Sequence, residues 1–144
     1  MKQVRAIKNL STLVAMRERE VDHLTADMAA KQVVRQRFVA NLERMANLCE
    51  GGVAQGHTSP LQALNQGHFK AAILHMADLH RQDLALHDAD MAVSQQALQH
   101  AAQRREVLGQ ILSKKQDHLS KEQASREQKG QDDLATQVWL RGRA

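Results

Sequence analysis

Residues 50–60 read Glu50-Gly51-Gly52-Val53-Ala54-Gln55-Gly56-His57-Thr58-Ser59-Pro60, and they hold three glycines and the only proline of the chain. Glycine ends helices because it carries no Cβ, and proline starts them because its missing N–H has no partner in the first turn anyway. Ser59-Pro60 therefore reads as a cap followed by a first helical residue. On either side the chain is rich in Ala, Gln, Leu, Arg, Lys and Glu, all good helix formers. One break between two helix-forming halves predicts an all-α hairpin. Helix one runs over about 3–49, a loop and a short helix (about 60–66, ending before Gly67) occupy about 50–68, and helix two runs over about 69–138. All 144 residues are expected to form a single coiled-coil domain.

Outward from the break, the apolar residues keep a seven-residue repeat. In helix one, Ile7, Val14, Val21, Met28, Leu42 and Cys49 share one seam position, and Leu10, Leu24, Phe38 and Met45 share the other. Arg17, Lys31 and Arg35 interrupt that seam. In helix two the seam reads Ile73, Ala77, Leu84, Met91, Leu98, Ala101, Leu108, Leu112 and Leu119. Sustained spacing of this kind favours a coiled coil over a short globular helix. A second stripe, Leu79, Leu86 and Val93, lies about 200° round from the seam residues two positions before it, at 3.6 residues per turn. One hairpin seam cannot bury both stripes, so either Leu61–Leu64 fold over the second or a partner does.

A short connection makes the helices antiparallel neighbours. If Cys49 faces Lys70, facing residue numbers add to 119, so residue 7 meets about residue 112. Lys31 and Arg35 then fall near Asp83, Leu84, His87 and Asp88; the alternative is that these cations snorkel to water. Helix two outlasts helix one by roughly 20 residues, at equal rise per residue. From about residue 118 the seam positions read Leu119, Glu122, Arg126, Lys129, Asp133 and Leu140, so the apolar seam fades. This end is expected to meet another protein, the alternative being a frayed, solvated tail.

Composition excludes several classes. Aromatics make up only 2% of the chain, Phe38, Phe69 and Trp139 with no Tyr, too few for an ordinary compact core. No apolar run reaches the length of a membrane span. Met1-Lys2 leads into mixed polar sequence, so no signal peptide is expected. Cys49 is the only cysteine, which predicts a reducing, cytoplasmic setting. The net charge of +4 is unevenly spread: residues 1–48 carry nine Lys/Arg and five Asp/Glu, residues 49–103 two and five, residues 104–144 nine and six.

Chemistry has few candidates. Six of the eight His follow one another from His68 at the edge of helix two to His118, but His80 and His87 are seven apart and His75 and His80 five apart. A ligand pair on a helix needs a spacing of three or four, so no metal is expected. Cys49 lacks a base oriented by a third group, no phosphate-loop motif occurs, and a two-helix fold offers no substrate pocket; no catalytic residue and no cofactor are expected. The basic ends suggest phosphate contacts, yet stacking aromatics are missing and the middle is acidic, so nucleic acid is not the expected partner.

The run Arg126-Glu127-Gln128-Lys129-Gly130-Gln131-Asp132-Asp133-Leu134-Ala135 resembles the tail signature of the flagellar FliJ family. Asn65-Gln66-Gly67-His68-Phe69 with Leu79-His80-Arg81 resembles the start of that family's second helix, and Leu42-Glu43-Arg44-Met45 stands at the expected depth of the first. The resemblance covers nearly the whole chain. It implies a non-enzymatic part in flagellar type III protein export, cytoplasmic and peripheral to the inner membrane at the flagellar base through protein partners only. It further implies a shape similar to the γ stalk of rotary ATPases. The helix ends would enter the hexameric export ATPase through Arg126, Glu127, Gln128, Lys129 and Asp132. The other end would meet the membrane component of the export gate, at its cytoplasmic linker, and empty export chaperones. That surface would be Phe38, Leu42, Met45 and Cys49 on helix one and Phe69, Ile73, Met76 and His80 on helix two. Departures from the family pattern are the lack of aromatics at Met45 and Cys49, Gly130 within the tail motif, and Asp133 where Glu is usual. Apart from the resemblance, the same residues fit a generic coiled-coil scaffold or, less well, a basic hairpin on nucleic acid.

Overall fold

Ser59 caps a helix from both directions. Its Oγ accepts from the backbone N–H of Gln62 at 3.3 Å, and the Gln62 side-chain carbonyl accepts from the Ser59 N–H at 3.1 Å. This reciprocal pairing satisfies two donors that a helix start leaves open. The computed structural model describes residues 2–51 and 59–142, and among them it forms two helices, α1 (Lys2–Glu50) and α2 (Pro60–Arg141). The two pack together as a helical hairpin. Most of the loop read from the sequence lies outside the described residues. α1 ends where the Gly51 N–H donates to the Asn47 carbonyl at 2.9 Å. A Cβ at Gly51 would stand 3.3 Å from that same oxygen, which favours glycine there.

Helix two begins nine residues earlier than expected. The segment 60–66 is helical, but it runs through Gly67 into the main helix without a break. A helical glycine costs only about 1 kcal/mol relative to Ala, too little to divide a well-capped helix of this length. Leu61 and Leu64 consequently stay exposed in line with the rest of α2 and fold over nothing. Residues 61–72 are all exposed, so α2 outlasts α1 at this end as well.

The chain divides into two compact units, Met1–Val21 with His100–Ala144, and Asp22–Gln99. In the first unit, Ile7, Leu10, Val14 and Arg17 on α1 are half-buried, as are Leu108, Leu112, Leu119 and Glu122 on α2. Ala101 is 3% exposed and closes the packing layer. Residues 123–142 are exposed throughout. In the second unit, Leu24, Met28, Lys31, Arg35, Phe38, Leu42, Met45 and Cys49 are half-buried on α1. Their counterparts on α2 are Ile73, His80, Leu84, His87, Met91, Ser94 and Leu98, with Ala77 at 5% exposure. The small side chains at 77 and 101 are the only buried ones among the described residues. Two helices meeting along a narrow stripe leave each larger seam residue one side in water. The second stripe is open: Leu86 is 72% exposed, and Leu79 and Val93 are exposed with it.

Candidate functional site

The seam of the second unit is polar at its centre. Lys31 reaches across from α1, its Nζ 2.7 Å from Asp90 and 2.6 Å from the Ser94 hydroxyl oxygen, with Asp27 on its own helix at 3.5 Å. One turn on, Arg35 Nε donates to Asp88 at 2.8 Å. His87 Nε2 lies 2.8 Å from the Lys31 carbonyl. Phe38 packs between two imidazoles, its ring centre 5.7 Å from that of His80 and 5.9 Å from that of His87. The seam cations thus meet the acidic stretch of α2 as expected, but in a corrected register. Lys31 pairs with Asp90 and Arg35 with Asp88, so facing numbers add to 121 and 123 in place of 119. In the first unit Arg105 likewise pairs with Glu18 at 2.8 Å. The sequence estimate placed the turn too tightly, because α2 continues past the end of α1.

The hydrogen bond from Lys31 holds the Asp90 carboxyl below its ordinary value of 3.8, and that bond with the nearby Asp27 charge holds the Lys31 ammonium above 10.5. A depressed carboxyl pKa stabilises the fold above the unfolded value, and the gain is lost as pH falls through the folded one. A raised lysine pKa stabilises below 10.5, and the gain is lost as pH rises through its folded value. The pair therefore supports the hairpin between those limits. Asp90→Asn is expected to lower the melting midpoint slightly at neutral pH and to flatten its fall between about pH 5 and pH 3. Circular dichroism melts of both proteins across that range check this; parallel pH curves would dismiss the pair as a contributor.

The residues implied as a gate-facing surface fall into two environments. Leu42, Met45 and Cys49 line a cavity of about 210 Å³ with Leu74, Ala77 and Arg81. Phe38, Ile73 and His80 are half-buried in the seam. Phe69 and Met76, by contrast, are 53% and 48% exposed on the start of α2. The tail residues Arg126, Glu127, Gln128, Lys129 and Asp132 are all exposed. Arg126 stands 3.9 Å from Glu122, which also lies 3.3 Å from His118, so intrahelical pairs hold this stretch of helix.

Among the described residues no three His, Cys, Asp or Glu side chains converge as a metal site requires. No described helix is long and apolar enough to cross a membrane. What the structure adds to the sequence reading is a groove in the first unit. Ile7 and Ala6 of α1 and Ile111 and Leu119 of α2 floor one cavity of about 340 Å³, rimmed by Lys114 and Lys115. A neighbouring cavity of about 540 Å³ lies between Leu13 and Arg17 of α1 and Arg104, Val107 and Leu108 of α2. The signal was present in the sequence, because the stripe of Leu79, Leu86 and Val93 continues at seven-residue steps as His100, Val107 and Lys114.

No curated protein and no solved structure matches the chain significantly. A family model does: the one described as flagellar FliJ protein matches residues 7–144, which takes in both helices and the tail. With that match over nearly the full length, and two long helices packed together, the chain belongs to the flagellar FliJ family and is a flagellar export-related protein.

Proposed function

We propose that this chain acts as a stalk and escort in type III export, without performing chemistry itself. Its tail enters the ring of the hexameric export ATPase, and the opposite end of the hairpin meets the membrane component of the gate and hands over empty export chaperones. The observation that carries this reading is the bare end of α2: past half-buried Glu122, every described residue is exposed while the helix continues to Arg141. A solvated helix of about 20 residues gains nothing from tertiary packing and is marginal alone, so a partner explains its retention. Exposed Phe69 and Met76 supply an adaptable apolar surface of the kind that suits varied partners. The protein works in the cytoplasm, attached to the membrane only through its partners.

The test is a binding titration with the purified hexameric ATPase. Arg126→Ala with Lys129→Ala is expected to leave the melting midpoint unchanged, because both side chains are exposed, and to weaken ring binding by roughly tenfold, as the loss of about 1.4 kcal/mol of charged contacts requires. Equal affinity for the two proteins rejects the assignment of the tail. Phe69→Ala with Met76→Ala is the matching probe for the gate component and should leave ring binding untouched.

A further inference from the structure

The first unit carries an open groove whose floor and rim differ in chemistry. On α2, His100, Arg104, Val107, Ile111, Lys114 and His118 follow alternating steps of four and three and so share one helix face. That face and the adjoining residues of α1 line two neighbouring cavities. Ile7, Ile111, Leu108 and Leu119 give the groove an apolar floor. Arg104, Lys114 and Lys115 edge it with positive charge, Arg17 being paired with Glu20 at 2.6 Å, and no carboxylate is among the residues lining either cavity. The other side of the same unit differs, since the cavity there includes Glu106. Residues 1–21 and 100–144 together hold fourteen Lys/Arg against eight Asp/Glu, so the whole unit reinforces the field.

We infer that this groove is a docking site for an acidic amphipathic helix of a partner protein. An apolar floor with charged edges is how a helix is read by a groove, its anchors at steps of three and four and its flanks by complementary charge. The lining of α1 from Gln3 to Arg17 spans about 21 Å at 1.5 Å per residue, enough for a helix of about 14 residues. Nucleic acid suits the rim but not the floor, because a phosphate backbone gains nothing from Ile7 and Ile111. Two first units fit each other less well, because each would meet its own charge; docking of the acidic middle of a second copy would appear as a dimer in sedimentation of the chain alone, where a monomer is expected and a dimer overturns the inference.

The inference does not depend on what the tail binds, and its test uses the full chain with a synthetic peptide. The probe is a helical peptide of about 16 residues, with Leu at the anchor steps and Glu on both flanks; the control carries Lys on the flanks. Saturable binding of the Glu peptide is expected, with amide resonance shifts confined to residues 3–17 and 100–119. Lys114→Glu with Lys115→Glu is expected to weaken the Glu peptide roughly tenfold or more and to strengthen the Lys peptide, with an unchanged melting midpoint. Both lysines are exposed, so this variant keeps the fold. Ile111→Ala should weaken both peptides alike. The inference is overturned by unsaturable binding of the Glu peptide, by equal preference for the two flanks, by shifts centred on residues 22–99, or by a short DNA duplex that displaces the peptide.

Discussion

Ala101→Asp is expected to lower the melting midpoint by about 10 °C or more, while Ala102→Asp one residue away leaves it nearly unchanged. The two positions share residue type, helix and almost the same sequence surroundings. They differ in burial: Ala101 is 3% exposed, and Ala102 faces water. An aspartate at 101 places a carboxylate in the packing layer between two helices. Its side chain is too short to carry the charge out to solvent as Lys31 or Arg35 would. An uncompensated buried charge costs about 3–5 kcal/mol. Domains of this size hold on the order of 5–15 kcal/mol in all, and this hairpin has few buried side chains from which to draw it. Circular dichroism melts or urea titrations of the two variants decide the matter. Matching midpoints would mean that the helices do not pack at this layer.

How much of this was legible beforehand follows from what periodicity can carry. Every seam position named on α1, from Ile7 to Cys49, is half-buried, including the three cations that interrupt the repeat. Apolar residues at fixed steps report a face directly, and a cation within the repeat inherits its place. On α2 one seam position is read along its whole length and the other only at Ile73, Ala101 and Leu108, because His80, His87 and Ser94 occupy it in between. Polar residues leave no trace in a hydrophobic pattern, yet these three meet Phe38 and Lys31 across the interface. The register was out by two to four residues for a related reason. It was fixed from the turn, and the start of α2 was misread at Gly67, where a weak local preference yielded to a capped, continuous helix. The groove of the first unit was legible only in part, as the stripe that runs on from Val93 through His100, Val107 and Lys114. Its chemistry comes from Ile7 and Ile111 meeting beside Lys114 and Lys115, a juxtaposition that neither helix states alone.

Truncation after Glu122 is the sharpest test of the tail, because it separates a structural segment from a binding one. Residues 123–142 are exposed, and the hydrogen bond from Thr136 Oγ1 to the Asp132 carbonyl there runs along the helix itself. Removing the segment should therefore shift the melting midpoint by no more than about 2 °C, as surface changes of about 0.5 kcal/mol do. Binding to the hexameric ATPase, in contrast, should weaken by at least about thirtyfold, the consequence of losing a single interface anchor of about 2 kcal/mol. Leu134, Val138 and Leu140 are exposed apolar side chains suited to that role, and the cationic pair of Arg126 and Lys129 adds charge beside them. A helix that orders on a partner should also show it locally, so amide hydrogen exchange over 123–141 should slow on ring binding while exchange near Ala77 stays as it was. Two results would sink the proposal in different ways. A truncated chain that binds the ring as tightly as the full one places the contact elsewhere. A truncated chain that melts many degrees lower makes the tail part of the fold, and its exposure would then say nothing about a partner.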